Sequence, residues 1–469
     1  MSEMAFRRRM LTLAALSLSV LMPAQLAAGP VVVPTAEGQI GQVPGLLDNV
    51  LGARFESVRG NPGDVILGRL KTRFAVPAPL PELDFLTDTL HDLPNPMPVA
   101  TIPILLGTNI DKSPPASARS RNAADDGDFV AFSFATAGAL PNTNNVRIAT
   151  FDETGNTLVD IPVTTVDNAF PFPDPALSDT SVAVDNQGRV TIAYTELPAS
   201  NIPEVRATRL DAVTGLPIDP DFLINPSALD VDVALLDPAG NRLIIATTEA
   251  DIQANIVELS GPTPLVLPEF AVATTAAIFG NLNPQVAADP ATGSSMIVWE
   301  NISGLVGNPV DLFGRRFDAM GNPIGDDFRV NTTTANAQGQ PAVAYGPQNL
   351  TAVVWSGDGQ QLPADGLDVF LQVYDPLGNP IGGEIRVNTN TPGFQDQPAV
   401  RFLPEPDNQG RPQVMVAWRD VGQQDGSSPV GTGTSYKCFA INGFPDPEVL
   451  IFADGFESGD TSSWSQTQP

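Results

Sequence analysis

Short apolar segments separated by turn residues run through most of the chain. In one representative stretch these segments cover residues 285–288, 295–299, 311–317 and 327–330. Most of them contain β-branched or aromatic residues, and Gly, Pro, Asn or Asp bounds them, which is the pattern of β-strands joined by tight turns. No segment keeps the 3.6-residue period of an amphipathic helix. The pattern therefore predicts groups of four short strands.

This group of four strands is repeated along residues 113–453. A valine of the first strand recurs every 51 to 57 residues, at Val182, Val233, Val286, Val343 and Val400. In six copies the second strand ends with Phe132, Tyr194, Thr247, Trp299, Trp355 and Trp418. Four strands per repeat at this period are typical of β-propeller blades, each of which buries its faces against its neighbours. We therefore expect an all-β fold, a six-bladed β-propeller of four-stranded antiparallel blades.

Two features leave the blade count and the architecture open. Residues 65–106 could form a seventh, degenerate blade, and residues 100–106 could instead supply a spare strand that closes the ring. Tandem β-sandwiches would also show short strands with turn signals at regular spacing. We place the repeat domain at residues 100–453, after a Pro- and Leu-rich N-terminal arm or leader at residues 29–99.

The first 28 residues have the three parts of a secretory signal peptide. Arg7, Arg8 and Arg9 precede an apolar stretch over residues 10–22, and small residues follow up to Ala28. The apolar stretch is too short to cross a hydrocarbon core of about 30 Å comfortably. The sequence therefore predicts cleavage near Ala28 and a mature protein that is secreted, periplasmic or at the cell surface, without a membrane span.

Two adjacent repeats align by inspection. Residues 317–331 and 374–388 share Asp-x-x-Gly-Asn-Pro-Ile-Gly and Arg-Val-Asn, and both are followed by Gln-Pro-Ala-Val and by a strand ending in Trp. These motifs resemble a repeat of large exported bacterial proteins, which implies a β-propeller-like array and an extracellular setting but no activity. The Asp-Gly-Phe-Glu-Ser-Gly-Asp motif in residues 454–469 resembles a short C-terminal tag that ends many exported bacterial proteins.

Composition narrows the chemistry. Acidic residues number 53 and basic residues 24, which gives a net charge of -29 and argues against a nucleic-acid partner, because phosphate binding needs a basic surface. His91 and Cys438 are the single His and the single Cys, too few for a Cys/His zinc site or an intrachain disulfide. We expect His91 to be a solvated loop residue and Cys438 a buried, inert thiol.

Aligning the repeats produces one candidate binding site. Three residues before the recurring valine stand Asp179, Asp230, Asn283, Gln340 and Gln397. Since the first strand of each blade lines the central channel of a propeller, these side chains should form a polar ring at one end of that channel. Such a ring could hold a cation or a hydroxyl-rich ligand. The alternative is that each side chain only bonds to the start of a strand or to a neighbouring blade.

Two further groups of residues have a functional and a structural interpretation. Asp125, Asp126 and Asp128 place three carboxylates in four residues, which would suit calcium, but a single Asp at the same turn of other repeats suits hairpin geometry alone. Trp299, Trp355 and Trp418 would be sugar-stacking platforms if exposed, but their equivalent positions favour the core between blades.

The sequence therefore favours an exported module that binds a protein or a polysaccharide at the cell exterior without catalysis. No catalytic residue and no cofactor other than calcium is indicated. The first alternative is a carbohydrate-active enzyme that uses a carboxylate pair near the channel. The second is a purely structural surface component.

Overall fold

The computed structural model describes residues 31–39, 48–57, 64–73, 80–89, 100–103, 116–119, 129–137, 143–152, 157–167, 179–198, 202–305, 308–358, 366–389, 393–403, 406–407, 409–421 and 432–443. Within these residues the regular structure is β-strand, apart from one 3-10 turn at Pro347–Asn349. The predicted all-β class is confirmed. No helix of the described ranges is long and apolar enough to cross a membrane.

The strands form seven antiparallel sheets, here called blades 1 to 7 in chain order. The first strand of the chain is β1 (Val31–Gln39). Blade 1 contains β2 (Asp48–Ser57), β3 (Asp64–Arg73), β4 (Leu80–Thr89) and β5 (Ala100–Pro103). Blade 2 contains β6 (Ala116–Arg119), β7 (Phe129–Ala137), β8 (Thr143–Asp152) and β9 (Thr157–Asp167). Blade 3 contains β10 (Thr180–Val184), β11 (Arg189–Glu196), β12 (Glu204–Asp211) and β13 (Pro217–Asn225).

The remaining four blades follow the same plan. Blade 4 contains β14 (Leu229–Leu235), β15 (Arg242–Thr248), β16 (Ile252–Glu258), β17 (Leu265–Val266) and β18 (Phe270–Ala271), and the last two both pair with β16. Blade 5 contains β19 (Asn281–Ala288), β20 (Ser295–Leu305), β21 (Asn308–Phe317) and β22 (Phe328–Arg329). Blade 6 contains β23 (Gln338–Tyr345), β24 (Thr351–Asp358), β25 (Leu367–Tyr374) and β26 (Pro380–Arg386). Blade 7 contains β27 (Phe394–Phe402), β28 (Gln413–Val421) and β29 (Thr432–Asn442).

The seven blades close into a ring. Their first strands, β2, β6, β10, β14, β19, β23 and β27, contact one another in this order, and β27 contacts β2. The outer strand of blade 7 is β1, which pairs antiparallel with β29 so that Val32 lies opposite Ile441. The molecule is thus a seven-bladed β-propeller whose last blade is completed by a strand from the other end of the chain, which leaves no gap between the first and last blades.

This topology corrects two expectations about the N-terminal part. Within residues 29–99, where an arm or leader was expected, the described segments are β1 of blade 7 and β2, β3 and β4 of blade 1. The segment beginning at Ala100 forms β5, which pairs with β4 inside blade 1 and does not close the ring. The seventh blade, left open as a degenerate blade at residues 65–106, is blade 1, and its strands run from Asp48 to Pro103. The six-blade count missed it because the repeat motifs of blades 6 and 7 fade toward the N-terminus, and residues 48–103 contain neither Gln-Pro-Ala-Val nor Trp.

The core consists of side chains packed between neighbouring blades. Apolar clusters join blades 2 and 3, 3 and 4, 4 and 5, 5 and 6, and 6 and 7. Trp299, Trp355 and Trp418 are each 0% exposed, so the prediction that they belong to the core is confirmed. The indole N–H of Trp355 donates to Oε1 of Gln338 at 3.1 Å, and that of Trp299 donates to Oδ1 of Asn281 at 3.1 Å.

Asp-initiated turns connect the third and fourth strands. In blade 6, Oδ1 of Asp375 accepts from the main-chain N–H of Leu377 at 2.9 Å and of Asn379 at 2.8 Å. Gly378 has a φ of 86°, a backbone conformation that favours glycine. Burial acts to raise the pKa of Asp375, but its hydrogen bonds outweigh this and hold the pKa below the usual value. The repeated Asp-x-x-Gly-Asn motif is therefore explained by turn geometry.

Candidate functional site

The axis of the propeller is an open cavity of about 780 Å³. The first strands of the described blades line it with many valines and alanines, together with polar side chains and main-chain groups. The charged side chains in the described part of this lining are Asp179, Asp232, Asp289 and Arg401. A cavity of this volume with a few converging polar groups is the usual form of a small-molecule site.

Four of the predicted ring residues share an unusual backbone conformation. Where the first and second strands pair in blades 4 to 7, the register shifts at Asp230, Asn283, Gln340 and Gln397. These residues have φ values of 20°, 54°, 55° and 51°. A left-handed conformation costs an L-residue roughly 1–2 kcal/mol, so the bulge must be held by other contacts.

Hydrogen bonds between blades hold these bulges. Oδ2 of Asp179 accepts from the N–H of Val231 at 3.2 Å, and Oδ2 of Asp230 accepts from the N–H of Asn283 at 3.2 Å. In both cases the acceptor belongs to one blade and the donor to the first strand of the next. We call these contacts inter-blade bonds.

The next two blade boundaries use the same device with other acceptors. Oε1 of Glu300 accepts from the N–H of Gln340 at 2.7 Å and from Nδ2 of Asn283 at 3.0 Å. Oε1 of Gln340 accepts from the N–H of Gln397 at 2.9 Å and from the hydroxyl of Ser356 at 3.0 Å. Of the five aligned residues, Asp179, Asn283, Gln340 and Gln397 line the cavity and Asp230 is not part of its described lining. The first four of the five are engaged in bonds between or within blades.

Gln397 differs from the other ring residues. Its Oε1 is buried, and no donor in the described part of the chain reaches it. The blade after it is blade 1, where the corresponding shift between first and second strands falls at Leu51. A buried acceptor without a partner costs about 1–3 kcal/mol, so this atom is the exception in the ring.

Sequence reasoning missed two carboxylates at the same channel end. Oδ1 of Asp232 accepts from the hydroxyl of Ser181 at 2.5 Å, and its Oδ2 accepts from the N–H of Val286 at 2.7 Å. Glu300 lies on β20, the second strand of blade 5, and pairs with Leu282 of β19. The signal for Asp232 was its place two residues after Asp230, on the first strand of blade 4, which lines the channel.

Crowding of these acids changes their protonation. Burial and then the neighbouring carboxylate of Asp230, with a smaller effect from Asp232, raise the pKa of Asp179 from 3.8 to about 7. Hydrogen bonds from the N–H groups of Val231 and Thr180 oppose that shift. Burial also raises the pKa of Asp232 and of Glu300, while the bonds they accept act in the other direction. Asp179 is therefore about half protonated at neutral pH.

Arg401 is the one basic residue in the described lining of the cavity. It lies on β27 and donates from Nη2 to the carbonyl of Ser117 in blade 2 at 3.0 Å and from Nη1 to the carbonyl of Val400 at 2.9 Å. Its positive charge acts to lower the pKa of Asp232. The guanidinium of Arg401 thus acts in favour of the ionised form of Asp232, whereas the raised pKa of Asp179 favours the protonated form of that carboxyl.

A second cavity, of about 640 Å³, lies between blades 2 and 3. Its polar groups bond to one another: the hydroxyl of Tyr194 donates to Oδ1 of Asp221 at 2.6 Å, and Nε of Arg206 donates to Oδ2 of Asp221 at 2.6 Å. Burial and these carboxylate contacts raise the pKa of Tyr194, which keeps the phenol neutral. This internally bonded group is explained as a contact between the strands of blade 3.

Several other candidates can be placed. Cys438 is 1% exposed, and burial raises the pKa of its thiol to about 12, which agrees with an inert thiol. Asp125, Asp126, Asp128 and His91 lie outside the described residues, as do the signal peptide and the C-terminal tag. In the described ranges, no group of three or more His, Cys, Asp or Glu side chains has an arrangement that could hold a metal ion.

No protein-family model matches the sequence, and no curated protein matches it. Among solved structures, the chain is similar to an α-L-arabinanase of Penicillium chrysogenum complexed with arabinobiose, at 11% identity and a TM-score of 0.47, covering 87% of this chain and 97% of the other. It is also similar to the GH93 α-L-arabinofuranosidase of Fusarium graminearum, at 11% identity and a TM-score of 0.49, covering 86% and 97%.

A third similar structure is the β-propeller domain of the Trilobed protease of Pyrococcus furiosus, at 10% identity and a TM-score of 0.41, covering 80% of this chain and 91% of the other. These proteins have different activities, and every one of these TM-scores lies below 0.5. Function has to be argued from the channel itself.

Proposed function

We propose that the polar end of the channel is a carbohydrate site in which Asp179 and Asp232 act as an acid–base pair on a glycosidic bond. The observation that carries the proposal is the pKa of about 7 for Asp179, next to other carboxylates in a cavity of about 780 Å³. A carboxyl group that keeps its proton near neutral pH can donate it to a leaving oxygen. Such a pair is what glycoside hydrolysis requires.

The two acids have different surroundings, which supports different roles. Asp179 keeps its proton to a higher pH because burial and the charges of Asp230 and Asp232 raise its pKa. Burial raises the pKa of Asp232 as well, but the bonds that it accepts from Ser181 and Val286 and the charge of Arg401 oppose this rise. In the proposed reaction a water attacks the anomeric carbon and gives a proton to the carboxylate of Asp232. The glycosidic C–O bond breaks as the carboxyl of Asp179 protonates the departing sugar oxygen.

The polar ring supports a polyhydroxylated ligand. Carboxylates and amide oxygens accept hydrogen bonds from sugar hydroxyls, and amide groups can also donate them. The described lining contains three acidic side chains, Asp179, Asp232 and Asp289, against one basic side chain, which disfavours an anionic ligand. Stacking on Trp299, Trp355 or Trp418 has no part in the proposal, because all three are buried.

A specific observation favours a second candidate, binding without catalysis. Both oxygens of Asp179 already accept main-chain N–H bonds, from Thr180 at 3.0 Å and from Val231 at 3.2 Å. Both oxygens of Asp232 are engaged as well. In this alternative the acids hold the blades together, and the channel recognises a polysaccharide or another partner outside the cell.

One experiment separates the two candidates. The purified protein is incubated with arabino-, xylo-, cello- and malto-oligosaccharides, and both the thermal unfolding midpoint and the release of reducing ends are measured. A ligand that binds only the folded state raises the midpoint. Catalysis predicts reducing ends from the wild type and a loss of at least 100-fold in D179N and in D232N, with the midpoint shift retained.

The matched control is D289N. Asp289 lines the same cavity, but Oδ1 accepts from the N–H of Ala291 and Oδ2 from the hydroxyl of Thr292, both within its own turn. Unchanged turnover in D289N is expected. A midpoint shift without any released reducing ends would support the non-catalytic candidate, and neither signal with any probe would refute a carbohydrate site of this kind.

We also propose that the protein works outside the cytoplasm. The arginine-rich start, the apolar stretch over residues 10–22 and the small residues before Ala28 support export. N-terminal sequencing of the protein recovered from its native host tests this proposal, and a mature chain that still begins at Met1 would contradict it.

A further inference from the structure

Among the five aligned ring residues, the side chain of Gln397 has no hydrogen bond within the described residues. Asp179 and Asp230 each accept the main-chain N–H at the start of the next blade, and Gln340 accepts the N–H of Gln397. Asn283 donates its side-chain amide to Glu300. Three of these four ring residues accept a main-chain N–H of the next blade, and Asn283 bonds to Glu300 within blade 5, so blade packing explains all four.

Gln397 breaks this series at the boundary between blades 7 and 1. Its main-chain N–H donates to Oε1 of Gln340. Its side-chain Oε1 is buried and has no hydrogen-bond donor within the described ranges. The equivalent shift in blade 1 falls at Leu51, between Val50 and Gly52. No inter-blade bond from the Gln397 side chain continues the series.

Gln397 is a partly exposed residue of the channel lining, so a rotation of its side chain would bring the buried Oε1 to the cavity. Gln397, Pro398 and Arg401 line the same cavity as Asp179 and Asp232. Buried polar atoms in native proteins nearly always have a partner, so an unpartnered one needs an explanation, and an ion, a water or another bound molecule is one such explanation. An sp² oxygen at this place can accept one or two hydrogen bonds from hydroxyl groups.

We propose that Gln397 is a ligand-contacting and specificity-determining residue. Its Oε1 accepts a hydrogen bond from a hydroxyl group of a polyhydroxylated ligand in the channel. The inference rests on the binding part of the proposed function and not on cleavage. It assigns different tasks to two chemically identical ring members: Gln340 holds blades 6 and 7 together, and Gln397 positions the ligand.

The pair Q340L and Q397L tests this division, because both substitutions replace the same side chain at equivalent bulges. The midpoint of thermal unfolding without ligand and the dissociation constant for the oligosaccharide probes above are measured for the wild type and both variants. Q397L should keep the wild-type midpoint and bind at least tenfold more weakly. Q340L should lower the midpoint by several degrees, because the N–H of Gln397 and the hydroxyl of Ser356 lose their acceptor.

A third variant, Q397E, keeps an acceptor oxygen at the same distance from the backbone. It should bind the probes more tightly than Q397L, since the proposal depends on the acceptor and not on the shape of the side chain alone. Equal affinity of Q397E and Q397L would contradict an acceptor role.

The outcomes distinguish this inference from the function on which it rests. If the wild type binds probes and Q397L binds them equally well, the inference is wrong and the channel site stands. If Q397L lowers the unfolding midpoint as Q340L does, Gln397 is another structural member of the ring and the inference is wrong. If the wild type binds none of the probes, the proposed function and this inference both fail.

Discussion

Replacing Asp179 with Asn should remove one buried titration from the folded protein. The pKa of Asp179 is raised from 3.8 to about 7, chiefly by burial and then by the carboxylate of Asp230. Because the folded state holds this proton more tightly than the unfolded state, the group stabilises the fold below about pH 4, and that stabilisation is lost as the pH rises to about 7. Above pH 7 its contribution is constant.

The size of the effect follows from the shift. A change of one pKa unit corresponds to about 1.4 kcal/mol, so the rise from 3.8 to about 7 corresponds to roughly 4 kcal/mol between pH 4 and pH 8. The total free energy of unfolding of a natural domain is about 5–15 kcal/mol, so a loss of this size is easily measured. Asn keeps one acceptor oxygen and does not titrate, and the bond it cannot make adds an offset that does not vary with pH.

The assay is urea unfolding of the wild type and D179N at several pH values between 4 and 8. The free energy of unfolding of the wild type minus that of D179N should fall by about 4 kcal/mol across this range, since taking the difference cancels the titration of groups that do not interact with Asp179. D230N should reduce the fall, because removing the Asp230 charge lowers the pKa of Asp179. D326N, at an exposed site, should follow the wild type in parallel. A difference between wild type and D179N that stays constant within 1 kcal/mol would refute the pKa argument and the acid role built on it.

Three further outcomes follow from the fold. W355A should lower the free energy of unfolding by about 3–5 kcal/mol in urea titration, because Trp355 is fully buried between blades 5 and 6; a loss below 1 kcal/mol would contradict that packing. Cys438 should not react with iodoacetamide at pH 8 until urea unfolds the protein, as followed by mass spectrometry, since burial raises its pKa to about 12. A chain starting at residue 40 should lose hydrogen-exchange protection along β29, which pairs with β1; unchanged protection there would argue against this closure.

The repeats made most of the fold predictable. Strands in a propeller blade are short, their ends carry turn residues, and their core positions recur at a fixed period, so the hydrophobic pattern alone indicates four-stranded blades. The burial of Trp299, Trp355 and Trp418 followed from the same periodicity. The closure of blade 7 by β1 was not predictable, because a single edge strand has no partner motif in its own sequence and its place depends on where the two chain ends meet.

The candidate site was only partly predictable. Alignment placed Asp179, Asp230, Asn283, Gln340 and Gln397 at one end of the channel, because residues at equal positions of repeats occupy equal places in the ring. It could not separate the members that join blades from Gln397, since that distinction depends on which donor lies within hydrogen-bonding distance in the neighbouring blade.

By itself, then, the sequence determined the strand content, the blade period and the polar character of one channel end, all of which are local or periodic properties. The tertiary structure decided the number of blades, the presence of Asp232 and Glu300 at the same end of the channel as the aligned residues, and the raised pKa of Asp179. The physical reason is that each of these depends on distances between atoms far apart in the chain, and burial and charge act through space without regard to sequence order.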